Sequence, residues 1–338
     1  MRNSKTSYTQ IIGLLTIISI AISCSSASNA SSNEEITLET PDFQISLAQW
    51  SLHRKYFGNI EERGGFGWFM NTLMTSPDDV IVDGQDPMNF PEEAATYGIN
   101  SIELVNTFYF GKVDDMAYWS TFKEKCEKAG VQVGLIMCDV LGDLGDADND
   151  ARTIAIEKHY KWVDIAKFLG AHTIRVNAAG KGTAEEVAAN AVDGLKRLGE
   201  YGASKGINIV VENHGGYSSN GAWLAGVMQE VGMDNVGTLP DFGNFCIQNG
   251  PEGCVNEYDR YKGIEELMPY AKAVSAKAHL FDDKGDEVNS DFLRIMKIVK
   301  ASGFKGHIGI EYEGSDLSEE EGIRKTKSLL EKVFKEIQ

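Results

Sequence analysis

Four side chains in the second half of the chain have the types and spacing of a metal site. They are Glu212, Asp241, His279 and Glu311, separated by 29, 38 and 32 residues. Each ends a largely apolar run: 207–212, 236–241, 274–279 and 307–311. The continuous run Ile209-Val210-Val211 reads as a strand buried on both faces, as in parallel sheets, and the three later stretches repeat its design. One strand-plus-helix unit of an eight-fold barrel takes about thirty residues, so each candidate falls at the end of one of four successive strands. Neighbouring strands lie about 4.8 Å apart, close enough for the four side chains to converge at the carboxyl face. Three carboxylates brought together there repel one another unless a cation intervenes. One imidazole with three carboxylates is a hard, oxygen-rich set suited to Mn²⁺, Mg²⁺ or Co²⁺, with Zn²⁺ also possible.

The elements that must position them are legible along the chain. Strands are predicted at 43–50, 101–106, 131–137 and 173–177, ahead of the four above. Helices are predicted at 91–97, 116–129, 151–169, 183–205, 222–231, 264–270, 291–301 and 318 onward. Gly130, Gly170 and Gly206 stand at the stops of three of them, and Thr183 with Glu186 forms a capping box. Strands alternating with helices imply parallel pairing, and eight of them suggest a closed (β/α)8 barrel over residues 43–338. The forty residues after the first strand do not read as a simple helix. Tyr56, Phe57, Phe66, Trp68 and Phe69 alternate there with glycines, as an insertion that forms either a lid over the strand ends or a packing flap.

The amino-terminal residues read separately. Arg2 and Lys5 precede an apolar run from Ile11 to Ile22, which is too short to span a bilayer as a helix. Residues 1–23 are expected to be a lipoprotein signal peptide, with Cys24 of the Ala21-Ile22-Ser23-Cys24 box as the lipidated residue. Residues 24–42 form a polar tether. The mature protein is then exported, periplasmic and held to the membrane only by its lipid. Net charge moves from −18 to −20 as Arg2 and Lys5 leave. Such an acidic chain is a poor partner for nucleic acid. No dinucleotide-binding glycine turn and no phosphate-cradling loop occurs. Cys246 and Cys254 flank a Gly/Pro loop and could pair, whereas Cys126 and Cys138 read as buried thiols.

Ile102-Glu103-Leu104, Val211-Glu212-Asn213, Asp241-Phe242-Gly243-Asn244, His279 and Gly309-Ile310-Glu311, in this order and pitch, resemble the xylose isomerase-like TIM barrel family of sugar isomerases and epimerases. Ketose 3-epimerases, inosose dehydratases and endonuclease IV share that barrel. The resemblance implies one divalent metal on Glu212, Asp241, His279 and Glu311, with Glu212 and Glu311 exchanging protons with a sugar from opposite faces. Endonuclease IV is a poor match, since its three-metal site needs more histidines than the six here. Many relatives carry His three residues after the strand-six Asp, where this chain has Asn244, and Lys two residues after the strand-seven His, where it has Phe281.

Other residues at the same barrel end have two readings each. His214 touches substrate or caps a loop. Glu103 contacts substrate or pairs with Arg175. Lys277 neutralises a carboxylate or meets an oxyanion, and Trp50 and His53 line the pocket or pack. His159, His172 and His307 read as structural. The function expected is a metal-dependent sugar isomerase or epimerase acting on a small carbohydrate, as a monomer or homo-oligomer. The alternatives are a lyase or hydratase on a keto-sugar or 3-keto-glycoside, and a carbohydrate-binding lipoprotein without catalysis. Export favours free sugars or keto-glycosides over sugar phosphates. Replacing Cys24 with Ala should release the protein from membrane fractions. Wild-type protein that already fractionates as soluble would remove the anchor.

Overall fold

The computed structural model describes residues 42–337, apart from residue 252. The leader, Cys24 and all but the last residue of the tether lie outside the described residues. Eight parallel strands form the barrel: β1 (Phe43–Ala48), β2 (Ser101–Val105), β3 (Gln132–Met137), β4 (Thr173–Val176), β5 (Asn208–Glu212), β6 (Val236–Leu239), β9 (Val274–Ala278) and β10 (Gly306–Tyr312). Between β6 and β9 stands a small antiparallel hairpin, β7 (Cys246–Gly250) and β8 (Gly253–Glu257), with Cys246 and Cys254 joined in a disulfide. The barrel strands pair in the order β6-β5-β4-β3-β2-β1-β10-β9. Parallel bridges from Thr238 to Ala271 and from Asp241 to Ser275 close β6 onto β9.

The helices are α1 (His53–Phe57), α2 (Gly65–Thr75), α3 (Phe90–Thr96), α4 (Met116–Ala129), α5 (Asn149–Leu169), α6 (Ala184–Lys205), α7 (Gly221–Val231), α8 (Arg260–Leu267), α9 (Phe292–Ala301) and α10 (Glu319–Ile337). The strands are buried almost throughout because helices pack on their outer face and side chains fill the inner one. Local chemistry sets the helix ends. The Thr183 hydroxyl accepts from the Glu186 amide while Glu186 accepts from the Thr183 amide. Gly206 ends α6 at φ 73°, where a side chain would be strained. Among the described residues, no helix is long and apolar enough to cross a membrane.

Two regions depart from the sequence reading. The stretch after β1 is helical in part, since α2 forms across Gly65 and Gly67, residues that weaken a helix signal. Arg63 pins this segment to the rim. Its guanidinium donates to the carbonyl oxygens of Phe57, Val80 and Asp79 at 2.6–2.9 Å, and it stacks on Trp68. Phe69 is buried against Phe57, whereas Phe66 is 66% exposed.

The second departure is at β9, which ends at Ala278 and not at His279. Ser275 and Lys277 alternate inward and are buried. Beyond them the chain turns aside, because the amides of His279 and Leu280 both approach Glu287 Oε1 at 3.3 Å and the Val288 amide donates to Leu280 O. The inward alternation therefore stops one residue before His279.

Candidate active site

Glu212 ends β5, Glu311 lies near the end of β10, and Asp241 follows β6 by two residues. All three are buried, and each offers an oxygen within 4.8 Å of the others. Asn213 holds Asp241 in place. It donates to the Asp241 and Asn244 carbonyls at 3.0 Å, and its own Oδ1 accepts from the Asp241 amide at 2.7 Å. Asp241 Oδ1 then accepts from the Gly243 and Asn244 amides at 2.8 Å. Its Oδ2 is buried without a hydrogen-bond partner.

His279, expected as the fourth ligand, is not in this cluster. Its ring is half exposed and lies 3.7 Å from Glu313. The inward position on β9 level with Asp241 is Ser275, whose hydroxyl donates to Glu311 Oε2 at 2.8 Å. Lys277, two residues on and also buried, lies 3.6 Å from Glu311 Oε1. The donors that remain are three carboxylates, of which Asp241 Oδ2 and Glu212 Oε2 are buried without a hydrogen-bond partner, and no imidazole or thiolate. That set fits a hard cation such as Mg²⁺ or Mn²⁺ better than Zn²⁺.

Above the cluster opens a cavity of about 370 Å³, walled by Trp50, Asp139, Arg175, Asn244, Lys277 and Glu311 among others, with Phe66, Phe69 and Met70 of α2 contributing to the wall. Helix α2 thus takes part in the site. Glu311 faces the cavity, while Glu212 is fully buried and does not line it. Glu212 Oε1 accepts from Asn244 Nδ2 at 2.9 Å, and Oε2 lies 2.7 Å from Arg175 Nε as an ion pair without hydrogen-bond alignment.

Arg175 does not pair with Glu103. Its second carboxylate is Asp139, at 2.6 Å. Glu103 accepts from the Ser46 hydroxyl inside the barrel and lines a different cavity at the amino-terminal end, beside His172 and His307. It is therefore not placed to touch a substrate at the carboxyl face. His53 stacks on Trp50, with Nδ1 2.8 Å from the Trp50 carbonyl, and does not line the cavity. His214 does line it, open to its solvent yet enclosed by protein. His159 is buried and bonded to Ala155 O.

Asp139 and Glu313 are site residues that the sequence reading passed over. Asp139 follows the apolar run of β3 in the same way as the chosen candidates follow theirs, so that signal was present. Asn106 clamps the backbone of Asp139 from both sides, at 2.8 and 2.9 Å. Val140 follows at φ 62°, a strained value for a β-branched residue and a common mark of a functional loop. Glu313 lies two residues past Glu311, 3.3 Å from Lys277.

Electrostatics follow from this crowding. Burial drives Glu212 up to about 7 against the pull of Arg175, and Asp241 up to about 7 against that of Lys277. Burial also raises Glu103 to about 7. Burial alone would depress the Lys277 ammonium, but Glu311 and Glu313, then Asp241 and Glu212, hold it well above its ordinary range. Burial would likewise raise Asp139 and Glu313; Arg175 and Lys277 respectively hold them low instead. Enclosure, then Arg175, keeps the His214 imidazolium disfavoured.

The relatives agree with this architecture. Residues 91–333 match the xylose isomerase-like TIM barrel family, and the chain belongs to that family. No curated protein matches the chain in sequence. Among solved structures it is similar to a xylose isomerase-like TIM barrel protein from Mycobacterium smegmatis in complex with magnesium, at 15% identity over 87% of this chain and 98% of the other, TM-score 0.61. It is also similar to 3-keto-D-glucoside 4-epimerase from E. coli (12% identity, 74% and 97% covered, TM-score 0.59). D-allulose 3-epimerase from Methylomonas sp. is a third (15% identity, 86% and 98% covered, TM-score 0.59). At these identities the likeness establishes a shared fold.

Replacing Arg175 with Met should strand Glu212 and Asp139 without their shared cation. Breaking a buried pair in this way costs about 3–5 kcal/mol. Urea unfolding of Arg175→Met checks this, and a change below about 1 kcal/mol would show that the guanidinium is not the counter-charge of the barrel mouth.

Proposed function

We propose that the protein is a divalent-metal-dependent sugar isomerase or epimerase that works by removing a proton next to a carbonyl. The observation that carries this reading is the cluster of Glu212, Asp241 and Glu311 beneath a cavity at the carboxyl face. Solved proteins of the same fold named as sugar epimerases, and one named as a magnesium complex, support it. Glu212, Asp241 and Glu311 would hold the cation. A divalent cation bound there supplies Lewis acidity toward a substrate carbonyl.

The remaining roles belong to the chain's own side chains. Glu311 faces the cavity and is the carboxylate placed to take a proton from carbon. Glu212 lies below, oriented by Arg175 and Asn244, and is better suited to hold the cation than to reach the substrate. Ser275 keeps Glu311 turned inward. The Lys277 ammonium, 3.6 Å from Glu311 Oε1, supplies charge toward an oxygen that becomes negative. Phe66, Phe69 and Met70 reduce the water at the site, which strengthens each of these interactions. The leader and the disulfide of the β7–β8 hairpin both suit an exported, lipid-anchored protein.

Mg²⁺ or Mn²⁺ should raise the melting temperature of the EDTA-treated protein, and more at about pH 8 than at about pH 5. The sign follows from Glu212 and Asp241, which are raised to about 7 from 4.5 and 3.8. For an acid raised in the fold, the native state favours the protonated form. These two groups therefore cost the metal-free protein stability as pH rises from near 4 through about 7. Below about pH 7, at pH 5 included, a cation has to displace their protons, and above it the oxygens are free. An increment equal at both pH values, or absent, would take the cation from these residues.

Glu311→Gln should lower turnover of keto-sugars by roughly 10² to 10⁴-fold with the fold intact by circular dichroism. In D₂O the wild type should place deuterium at the carbon next to the carbonyl. Full activity of the Gln variant would remove Glu311 from the chemistry.

A further inference from the structure

We propose that the site accepts a two-ring substrate, a keto-sugar carrying a second sugar in glycosidic linkage, and that a second cavity beside the first holds the second ring. This inference rests on the reading of the protein as a sugar enzyme. The second cavity has a volume of about 560 Å³ and shares the His214 side chain with the first, which has about 370 Å³. The first lies at the small end of the range of roughly 300–1,000 Å³ typical of ligand sites, and the two together approach its upper end.

The chemistry of the second cavity suits a carbohydrate. Asn177 lines it, with Nδ2 spent on Asp139 at 2.8 Å and Oδ1 buried without a partner. Gly215 and Gly216, at φ 84° and 58°, carry the chain along its edge, and a Cβ on either would meet nothing within 4 Å. That edge is open backbone. Tyr217 offers the aromatic surface on which the C–H face of a pyranose packs. Its ring lies over Trp223 at 5.8 Å, and its hydroxyl is fixed on the Gly182 carbonyl.

The far wall is the hairpin. Gln248 of β7 lines the cavity, and β7 packs against the 216–219 turn. The Cys246–Cys254 disulfide holds that strand to its partner at the edge of the cavity. His214, on the wall common to both spaces, then faces the inter-ring oxygen.

The test compares one 3-keto-hexopyranose, whose ketone stays free when the anomeric carbon is glycosylated, as its methyl glycoside and as its glucosyl glycoside, in the wild type and in Gln248→Trp, which fills the second cavity from an exposed hairpin position. The wild type should favour the glucosyl glycoside in kcat/KM by roughly tenfold or more, the scale of a set of pocket contacts. Gln248→Trp should abolish that preference. Equal kcat/KM for the two glycosides, or an unchanged ratio in the variant, overturns the proposal while leaving the isomerase reading intact. Should neither glycoside react, calorimetric binding decides between the outcomes independently of the chemistry. Tighter binding of the glucosyl form, lost in Gln248→Trp, upholds the second-ring site, and equal binding overturns it.

Discussion

The barrel mouth holds more buried negative charge than its own cations neutralise. Asp139, Glu212, Asp241, Glu311 and Glu313 crowd around Arg175 and Lys277. In a poorly solvated interior such an excess is relieved by protonation or by a bound cation. Both bases are placed where each meets two carboxylates: Arg175 between Glu212 and Asp139, Lys277 between Glu311 and Glu313. Neither base has an ion pair with Asp241, and one Asp241 oxygen has no hydrogen-bond partner. The site's remaining demand for positive charge is therefore concentrated at the three-carboxylate cluster.

Two asparagines make this arrangement rigid. Asn106 and Asn213 each follow a barrel strand directly, and each binds both the amide and the carbonyl of an aspartate on the next strand-end loop. Short polar side chains can replace a backbone ladder in this way. The loops carrying Asp139 and Asp241 are consequently fixed by their neighbours around the ring, beyond the point where sheet pairing stops. The left-handed backbone of Val140 is sustained in the same setting.

Around that frame, two elements without a counterpart in the bare strand–helix repeat shape the space above it. Helix α2 brings two phenylalanines and a methionine over one side, held by the three carbonyl contacts of Arg63. The disulfide-closed hairpin after β6 bounds the other. The repeat builds the acidic centre, and these two additions wall the cavities above it.

The strand and helix pattern was legible in the sequence because it depends on local physics. Apolar runs, glycine stops and the Thr183–Glu186 box dictate their elements wherever they occur, and the thirty-residue pitch carried Glu212, Asp241 and Glu311 to one barrel face. The failures arose where a long-range contact overrode local order. His279 shares the parity of Ser275 and Lys277, yet Glu287 captures the backbone and ends the strand before that parity can act. Glu103 points into the barrel as its alternation requires, but its carboxylate is taken by the Ser46 hydroxyl and lines the cavity at the opposite end. Asp139 was visible as one more carboxylate after an apolar run, and only the fold revealed that Arg175 lies within reach of it. Residue type and spacing alone identified which side chains the barrel could gather; the register of the closed ring, together with the hydrogen bonds that bend its loops, decided which of them meet.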